Sequence, residues 1–102
     1  MPRTYAPTNR TSLAEQILRQ SAGRIFGATV RKRDGSIREF NARTYGDSFN
    51  EKNRRNGQVT VIDVQKIENA QDPEQLARAY RTVALEGVIS LRVDGKVYEF
   101  DA

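Results

Sequence analysis

The first pattern along the chain is a set of apolar residues at helical spacing: Leu13, Ile17 and Leu18. It predicts an amphipathic helix over 12–22, because residues about four apart lie on one face of a helix. Ser12 and Glu15 fit a capping box at its start, and Gly23 supplies a stop. Residues 1–10 contain two prolines and no periodicity, so we expect a flexible basic arm before the helix.

Beyond the helix, apolar and polar residues alternate in short runs that are typical of strands. Strands are predicted over 24–33, 36–43, 58–65, 80–85, 88–93 and 96–100. The polar segment 44–57 is rich in Asn and Gly and is predicted to be a long loop, of a length that is often functional. Asp72-Pro73-Glu74 has the form of a helix start and predicts a short inserted helix over 73–79.

Asp34-Gly35 predicts the first hairpin, since glycine tolerates the positive φ of tight hairpin turns. A two-residue loop would set Arg31 opposite Arg38 and pair like charges. A three-residue loop with a glycine bulge instead sets Ala28 opposite Phe40 and gathers the apolar side chains on one face. We therefore expect the bulged loop, with Arg31 and Arg33 projecting outward from one edge of the hairpin and Lys32 at its tip.

The second hairpin turns at Asp94-Gly95, where a two-residue loop pairs Leu91 with Tyr98. Five or six short antiparallel strands, one N-terminal helix and one inserted helix then make up a mainly β domain over 11–102. Closure into a small barrel is expected, because it would remove the exposed edges of so short a sheet.

Composition narrows the classes of function. The chain has no cysteine and no histidine, so it lacks thiolate chemistry and the commonest general base and metal ligand. No two acids recur at a spacing typical of a catalytic pair, and we expect no catalysis, no cofactor and no bound metal. Asp63 is the one candidate for a buried acid. An ion pair with a neighbouring arginine such as Arg81 explains a buried acid at this position more simply than catalysis does.

No apolar run approaches the roughly 18 to 20 residues that cross a bilayer. The N-terminus also lacks the apolar region of a secretory signal. We therefore expect a soluble, cytoplasmic protein with no membrane partner.

Charge is distributed unevenly along the chain. Residues 1–55 contain twelve Lys and Arg against five Asp and Glu, or +7, and residues 56–102 contain five against eight, or −3, which gives the net charge of +4. A basic half in a domain of pI about 9.8 is typical of phosphate binding. An acidic protein partner and simple solubility are the alternatives.

The candidate binding residues are the basic side chains of the first hairpin and the polar loop, with one aromatic: Arg31, Lys32, Arg33, Arg38, Arg43, Tyr45, Lys52, Arg54 and Arg55. Arginine contacts phosphates in a bidentate manner and stacks on bases. Tyr45 and Phe49 interleave this charge, either as stacking platforms for a single strand or as anchors that hold the loop on the sheet.

Segments across residues 24–100 resemble small phage proteins with an SH3-like (Sm-like) β-barrel related to the WYL domain. The segments that carry the resemblance are RIFG at 24–27, RKRDG at 31–35, NAR at 41–43, VTVIDVQK at 59–66, YRT at 80–82 and VISLRVDGKVY at 88–98. The resemblance implies a phage protein with an SH3-like antiparallel barrel that binds nucleic acid or nucleotides through basic residues. It adds Arg81 and Arg92 to the candidate set.

Two functions follow as hypotheses. The first is a nucleic-acid-binding regulatory or accessory protein of phage origin that contacts DNA or RNA phosphates through the hairpin and the loop. The alternative is a small phage-encoded inhibitor or modulator that binds an acidic surface of a bacterial host protein. Self-association through edge strands is compatible with either.

Overall fold

The computed structural model describes residues 7–100, with side chains from Thr11 onward. Four helices lie at Pro7–Ser21 (α1), Glu51–Arg55 (α2), Val64–Asn69 (α3) and Pro73–Ala77 (α4). Six strands lie at Phe26–Arg31 (β1), Ile37–Arg43 (β2), Gln58–Asp63 (β3), Tyr80–Ala84 (β4), Val88–Val93 (β5) and Lys96–Glu99 (β6). A 3₁₀ turn at Leu85–Gly87 joins β4 to β5.

The six strands form one antiparallel sheet in the order β4-β3-β2-β1-β5-β6, so the domain is mainly β as predicted. β1 lies near the centre because β5 returns to pair with its free edge after the β1-to-β4 meander. The predicted barrel closure is not found: among residues 7–100 no ladder joins β4 to β6. Helix α1 covers the core beside β5 and the 3₁₀ turn, so the apolar face is buried without a closing ladder.

Helix α1 begins earlier than predicted. Its first residue is Pro7, so residues 7–10 of the predicted arm are helical, and the rest of the arm lies outside the described residues. Ser12 and Glu15 therefore lie within the helix, and the predicted capping box does not start it. Proline suits a first helical turn because its missing N–H would have no intrahelical partner there. The end is as predicted, with Gly23 at φ +82°.

The core lies between the inner face of the sheet and α1. Ile17 and Leu18 of α1 are buried, as their spacing predicts. Leu13 is only partly buried against the core, whereas Ala14, which was not in the predicted apolar set, is fully buried. The buried residues of α1 join a single cluster with side chains from the strands and the 3₁₀ turn, among them Phe26, Ala28, Val30, Val59, Val61, Leu85, Val88 and Leu91. One continuous core holds all these elements together.

Both hairpin registers agree with the sequence. Ala28 pairs with Phe40, which leaves a three-residue loop with Gly35 at φ +89°. Leu91 pairs with Tyr98, and the two-residue turn has positive φ at both Asp94 and Gly95. Positive φ at both central residues defines a type I′ turn, which matches the twist of the flanking strands.

The strand predicted over 58–65 ends two residues early. Asp63 accepts a hydrogen bond from the Lys66 N–H at 3.1 Å and caps α3, a helix that the sequence pattern did not predict. Helix α4 starts as predicted, with the Asp72 carboxylate accepting from the Gln75 N–H at 2.8 Å. Acidic N-caps therefore define both short helices between β3 and β4.

Gly87 of the 3₁₀ turn packs closely against the backbone at the base of the first hairpin. A Cβ atom at this position would lie 2.6 Å from the carbonyl oxygen of Arg31. Because that oxygen is part of the backbone, a side chain at position 87 requires a backbone shift.

We expect Gly87→Ala to reduce the free energy of unfolding by about 1–3 kcal/mol, the usual cost of overpacking. Gly46→Ala is the matched control, because a Cβ there meets nothing within 4 Å. Urea unfolding measures both effects through the transition midpoint. Equal midpoints for the two variants would contradict the close contact.

Candidate nucleic-acid interface

The first hairpin extends beyond the sheet as a two-stranded ribbon. β5 pairs with β1 only as far as Val30, and β3 pairs with β2 only at Ala42 and Arg43. No other described strand therefore runs beside residues 32–41 on either edge. All nine residues from 31 to 39 are exposed. We call residues 31–39 the ribbon.

The basic residues of the ribbon lie on two faces rather than one. Val30 is buried and pairs with Arg38, so Arg38 lies on the inner face of the sheet, beyond the core. Arg31 pairs with Ile37 and lies on the opposite, outer face. The Lys32 N–H donates to the Ser36 carbonyl at 2.8 Å, which continues the ladder and places Lys32 on the Arg38 face. The structure thus separates Arg31 from Arg38.

The ribbon tip consists of Arg33, Asp34 and Gly35. Lys32, which was predicted to lie at the tip, is instead the last residue before the turn. The Asp34 carboxylate accepts hydrogen bonds from the Ser36 N–H at 2.9 Å and the Ser36 hydroxyl at 2.6 Å. These bonds lower the pKa of Asp34 below its ordinary value, and the nearby Lys32 charge adds to the effect. The Asp34 carboxylate therefore stabilises the turn through its hydrogen bonds with Ser36.

The segment predicted as a long loop is folded. It contains α2, and Asn53 of that helix is only 5% exposed. The Asn53 side-chain amide donates to the Ser48 carbonyl at 3.0 Å and to the Thr60 hydroxyl at 2.9 Å. The Thr60 N–H donates in turn to the Ser48 carbonyl at 3.2 Å. This network fixes the segment to the edge of β3 where β2 diverges.

The candidate cations of that segment remain at the surface. Lys52, Arg54 and Arg55 are all exposed on α2. Arg55 lies 3.7 Å from Glu51, a distance typical of a weak surface pair. Lys52 and Arg54 have no carboxylate within 4.0 Å among the residues whose side chains are described.

The aromatic residues of this segment are packed by neighbours. Phe49 packs against the core, and the Arg19 guanidinium lies 4.4 Å from its ring centroid. The Tyr45 ring meets Tyr80 edge to face at 5.3 Å, and its pKa is raised by burial and then by Asp47 and Tyr80. Phe49 therefore anchors the segment to the core, which is one of the two roles that the sequence predicts for it, and not the stacking role.

Arg81 is held by a buried ion pair. Its Nε lies 2.8 Å from the Asp63 carboxylate, which confirms the predicted pair. The Asp63 side chain is 6% exposed, and the Arg81 guanidinium also lies 5.4 Å from the Phe40 ring centroid. These contacts connect β4, β3 and β2, so Arg81 has a structural role here.

Arg92 lies flat across the outer face of β1. A Cβ at Gly27 would be 2.6 Å from an Arg92 guanidinium nitrogen, so the missing side chain provides the space that the guanidinium fills. The Arg92 guanidinium also donates to the Thr29 hydroxyl at 3.4 Å. Arg92 is exposed to solvent, and its guanidinium lies above β1, the strand next to β2, on the same outer face of the sheet as Arg31 and Arg43.

Sequence reasoning missed a second group of polar residues, in a cleft of about 280 Å³ between the end of α1 and the β5–β6 turn. Arg24 donates to both oxygens of Asp94, at 3.0 and 2.7 Å, and Lys96 and Tyr98 also line the cleft. No sequence signal joins Arg24 to Asp94, because seventy positions separate them. This ion pair links the segment after α1 to the turn of the second hairpin.

No family model matches the chain, and no curated protein or solved structure is significantly similar to it. The expected relation to WYL-type phage proteins therefore stays a prediction. Within residues 7–100, no helix is long and apolar enough to cross a membrane.

We expect Arg81→Ala to lower the free energy of unfolding by about 3 kcal/mol, because it leaves the Asp63 carboxylate buried without a cation. Arg78→Ala is the matched control: its bond to Glu74 is 2.9 Å long, but both side chains are at least 70% exposed. Exposed pairs contribute about 0.2–1 kcal/mol. Chemical unfolding of both variants tests the difference, and similar losses would argue against a structural role for Arg81.

A second prediction concerns Asp94, whose pKa is lowered mainly by the hydrogen bond from Arg24. A carboxylate with a lowered folded pKa stabilises the fold above its ordinary value of 3.8, and this contribution is lost as pH falls through the folded pKa. Asp94→Asn keeps a side chain that tolerates positive φ, removes the charge and replaces one of the two oxygens that accept from Arg24 with an NH₂ group.

The variant should therefore melt below the parent at neutral pH, with the two melting temperatures converging as the solution is acidified below about pH 4. Asp47→Asn serves as the control, since Asp47 is exposed and has no ion pair among the described side chains. A difference between parent and Asp94→Asn that stays constant with pH would contradict the prediction.

Proposed function

We propose that this protein binds nucleic acid through the ribbon and the adjoining Arg43. The observation that carries the proposal is the lack of ion pairs among the cations of the first hairpin. Elsewhere, five of the ten Lys and Arg residues whose side chains are described have a carboxylate within 4.0 Å: Arg19, Arg24, Arg55, Arg78 and Arg81. The hairpin cations have none among the described side chains: Arg31, Lys32, Arg33, Arg38 and Arg43.

The local charge balance supports the same function. Residues 31–43 contain five Lys and Arg against Asp34 and Glu39, which gives a net charge of +3. Asp34 is used by the turn, and Glu39 accepts from the Thr29 hydroxyl at 3.3 Å. Neither acid has a described cation within 4.0 Å, although Lys32 is near enough to lower the pKa of Asp34. The guanidinium and ammonium groups are therefore available for phosphate oxygens.

The distribution of burial is also favourable for binding. Residues 31–39 contribute nothing to the buried core, and their cations are accessible to a partner. Phosphate contacts of this kind displace condensed counterions, so the affinity should fall steeply with salt. Lys52 and Arg54 add further positive charge on α2.

The direct test replaces Arg31, Arg33 and Arg38 together with alanine. We expect the fold to keep its stability, because exposed unpaired charges contribute little. Binding to fluorescent DNA and RNA oligonucleotides should fall strongly, and the slope of log K against log salt should decrease by about 3, one for each arginine replaced. Fluorescence anisotropy at several salt concentrations measures both quantities.

The matched control is the triple variant Lys66→Ala, Arg78→Ala, Lys96→Ala, which removes three positive charges that lie outside the first hairpin. It should bind nearly as well as the parent. Equal losses in the two triple variants would mean that net charge alone drives the interaction. Absence of binding to any oligonucleotide at low salt would overturn the proposal and favour the alternative, an acidic host protein, which a pull-down after nuclease treatment would recover.

A further inference from the structure

We infer that the ribbon enters the major groove of duplex DNA, a more specific statement that rests on the proposed nucleic-acid binding. The first observation is the division of charge between its two faces. Lys32 and Arg38 lie on one face of the ribbon, whereas Arg31 lies on the other. Arg43 is on the same outer face as Arg31, but it lies further back, where β2 pairs with β3. A flat strand of nucleic acid would contact one face only, but a groove has a phosphate wall on each side.

The dimensions agree with this geometry. Two paired strands lie about 4.8 Å apart, and the major groove of B-DNA is about 12 Å wide, which admits a two-stranded ribbon with its side chains. Measured from Val30, the last residue of β1 that pairs with β5, residues 31 and 32 advance the hairpin by roughly 7 Å at about 3.3 Å per residue, and the turn at 33–35 adds to this reach. This reach is comparable to a groove depth of about 8.5 Å. Within residues 7–100, no further strand lies beside either edge of the ribbon, so none would collide with the groove walls.

The aromatic residues argue against single-stranded nucleic acid. Residues 31–39 contain no aromatic side chain. Phe49 is covered by Arg19, and Phe40 is partly buried beside Arg81. Tyr80 is 46% exposed, but it lies on β4, two strands away from β2. Proteins that bind single strands place successive bases on aromatic rings, and the ribbon offers none.

Duplex RNA is also a poor fit. The major groove of A-form RNA is deep and narrow, and side chains do not reach its bases. The ribbon has two backbones as well as side chains, so it requires the wider groove of B-DNA. The inferred ligand is therefore duplex DNA, held through phosphates on both walls with Arg33 at the tip directed toward base edges.

The first experiment compares the parent protein with oligonucleotides of one sequence as duplex DNA, duplex RNA and single-stranded DNA at the same salt. Duplex DNA should bind at least about tenfold more tightly than either of the others. Equal or tighter binding of duplex RNA or the single strand would overturn the inference while leaving nucleic-acid binding intact. No binding of any of the three would instead overturn the proposed function.

The second experiment uses two single variants that remove the same charge from opposite faces of the ribbon: Arg38→Ala and Arg31→Ala. Each should lower the salt slope for duplex DNA by about 1 and the affinity several-fold at moderate salt. A loss in only one of the two variants would indicate contact through one face and contradict groove entry. Tyr80→Ala should leave duplex binding unchanged, and a large loss there would point to stacking instead.

A chemical footprint supplies a readout that is independent of affinity. Guanine N7 lies in the major groove and adenine N3 in the minor groove, and dimethyl sulfate methylates both. Saturating protein should reduce methylation at N7 several-fold and leave N3 nearly unchanged. Protection of N3 alone, or of neither atom, would exclude entry into the major groove.

Discussion

The register of the first hairpin is the constraint on which the rest of the molecule depends. β1 pairs on both edges, with β2 and with β5, so a shift of one residue would turn Phe26, Ala28 and Val30 away from the core. The three-residue loop with Gly35 at positive φ fixes that register locally. The same choice that buries the apolar side chains also decides which cations share a face of the ribbon.

Those parts of the fold that depend on local chemistry were predictable. Asp-Gly turns, the Asp72-Pro73 helix start and the alternation of β5 and β6 all have short-range causes, and each occurs where the sequence indicates. The Asp63–Arg81 pair was also predictable, because a lone acid in an apolar strand needs a cation. The remaining elements depend on tertiary interactions that the sequence pattern does not contain. The apolar run after Gln58 continues through Val64 apart from Thr60 and Asp63, yet Asp63 caps a helix there and ends the strand.

The candidate site was predicted in composition but not in arrangement. The basic residues of the hairpin are exposed as expected, whereas Arg81 is bound to Asp63 and Arg92 lies over Gly27. Helix α2 is held by the buried amide of Asn53, although Asn-rich segments usually indicate loops, so propensity alone favoured the wrong structure there. Three of the five arginine–carboxylate pairs join residues four apart on one helix. The Arg24–Asp94 and Arg81–Asp63 pairs join residues that are distant along the chain, so they depend on the tertiary fold.

The tight contact between Gly87 and the carbonyl of Arg31 has a consequence for how this surface can change. The base of the ribbon is held against a turn whose Leu85 is buried in the core, while the residues beyond it make no core contact. Substitutions at the tip should therefore have little effect on folding stability. The hairpin thus separates a strict architectural requirement at its base from an end whose sequence can vary without loss of the fold.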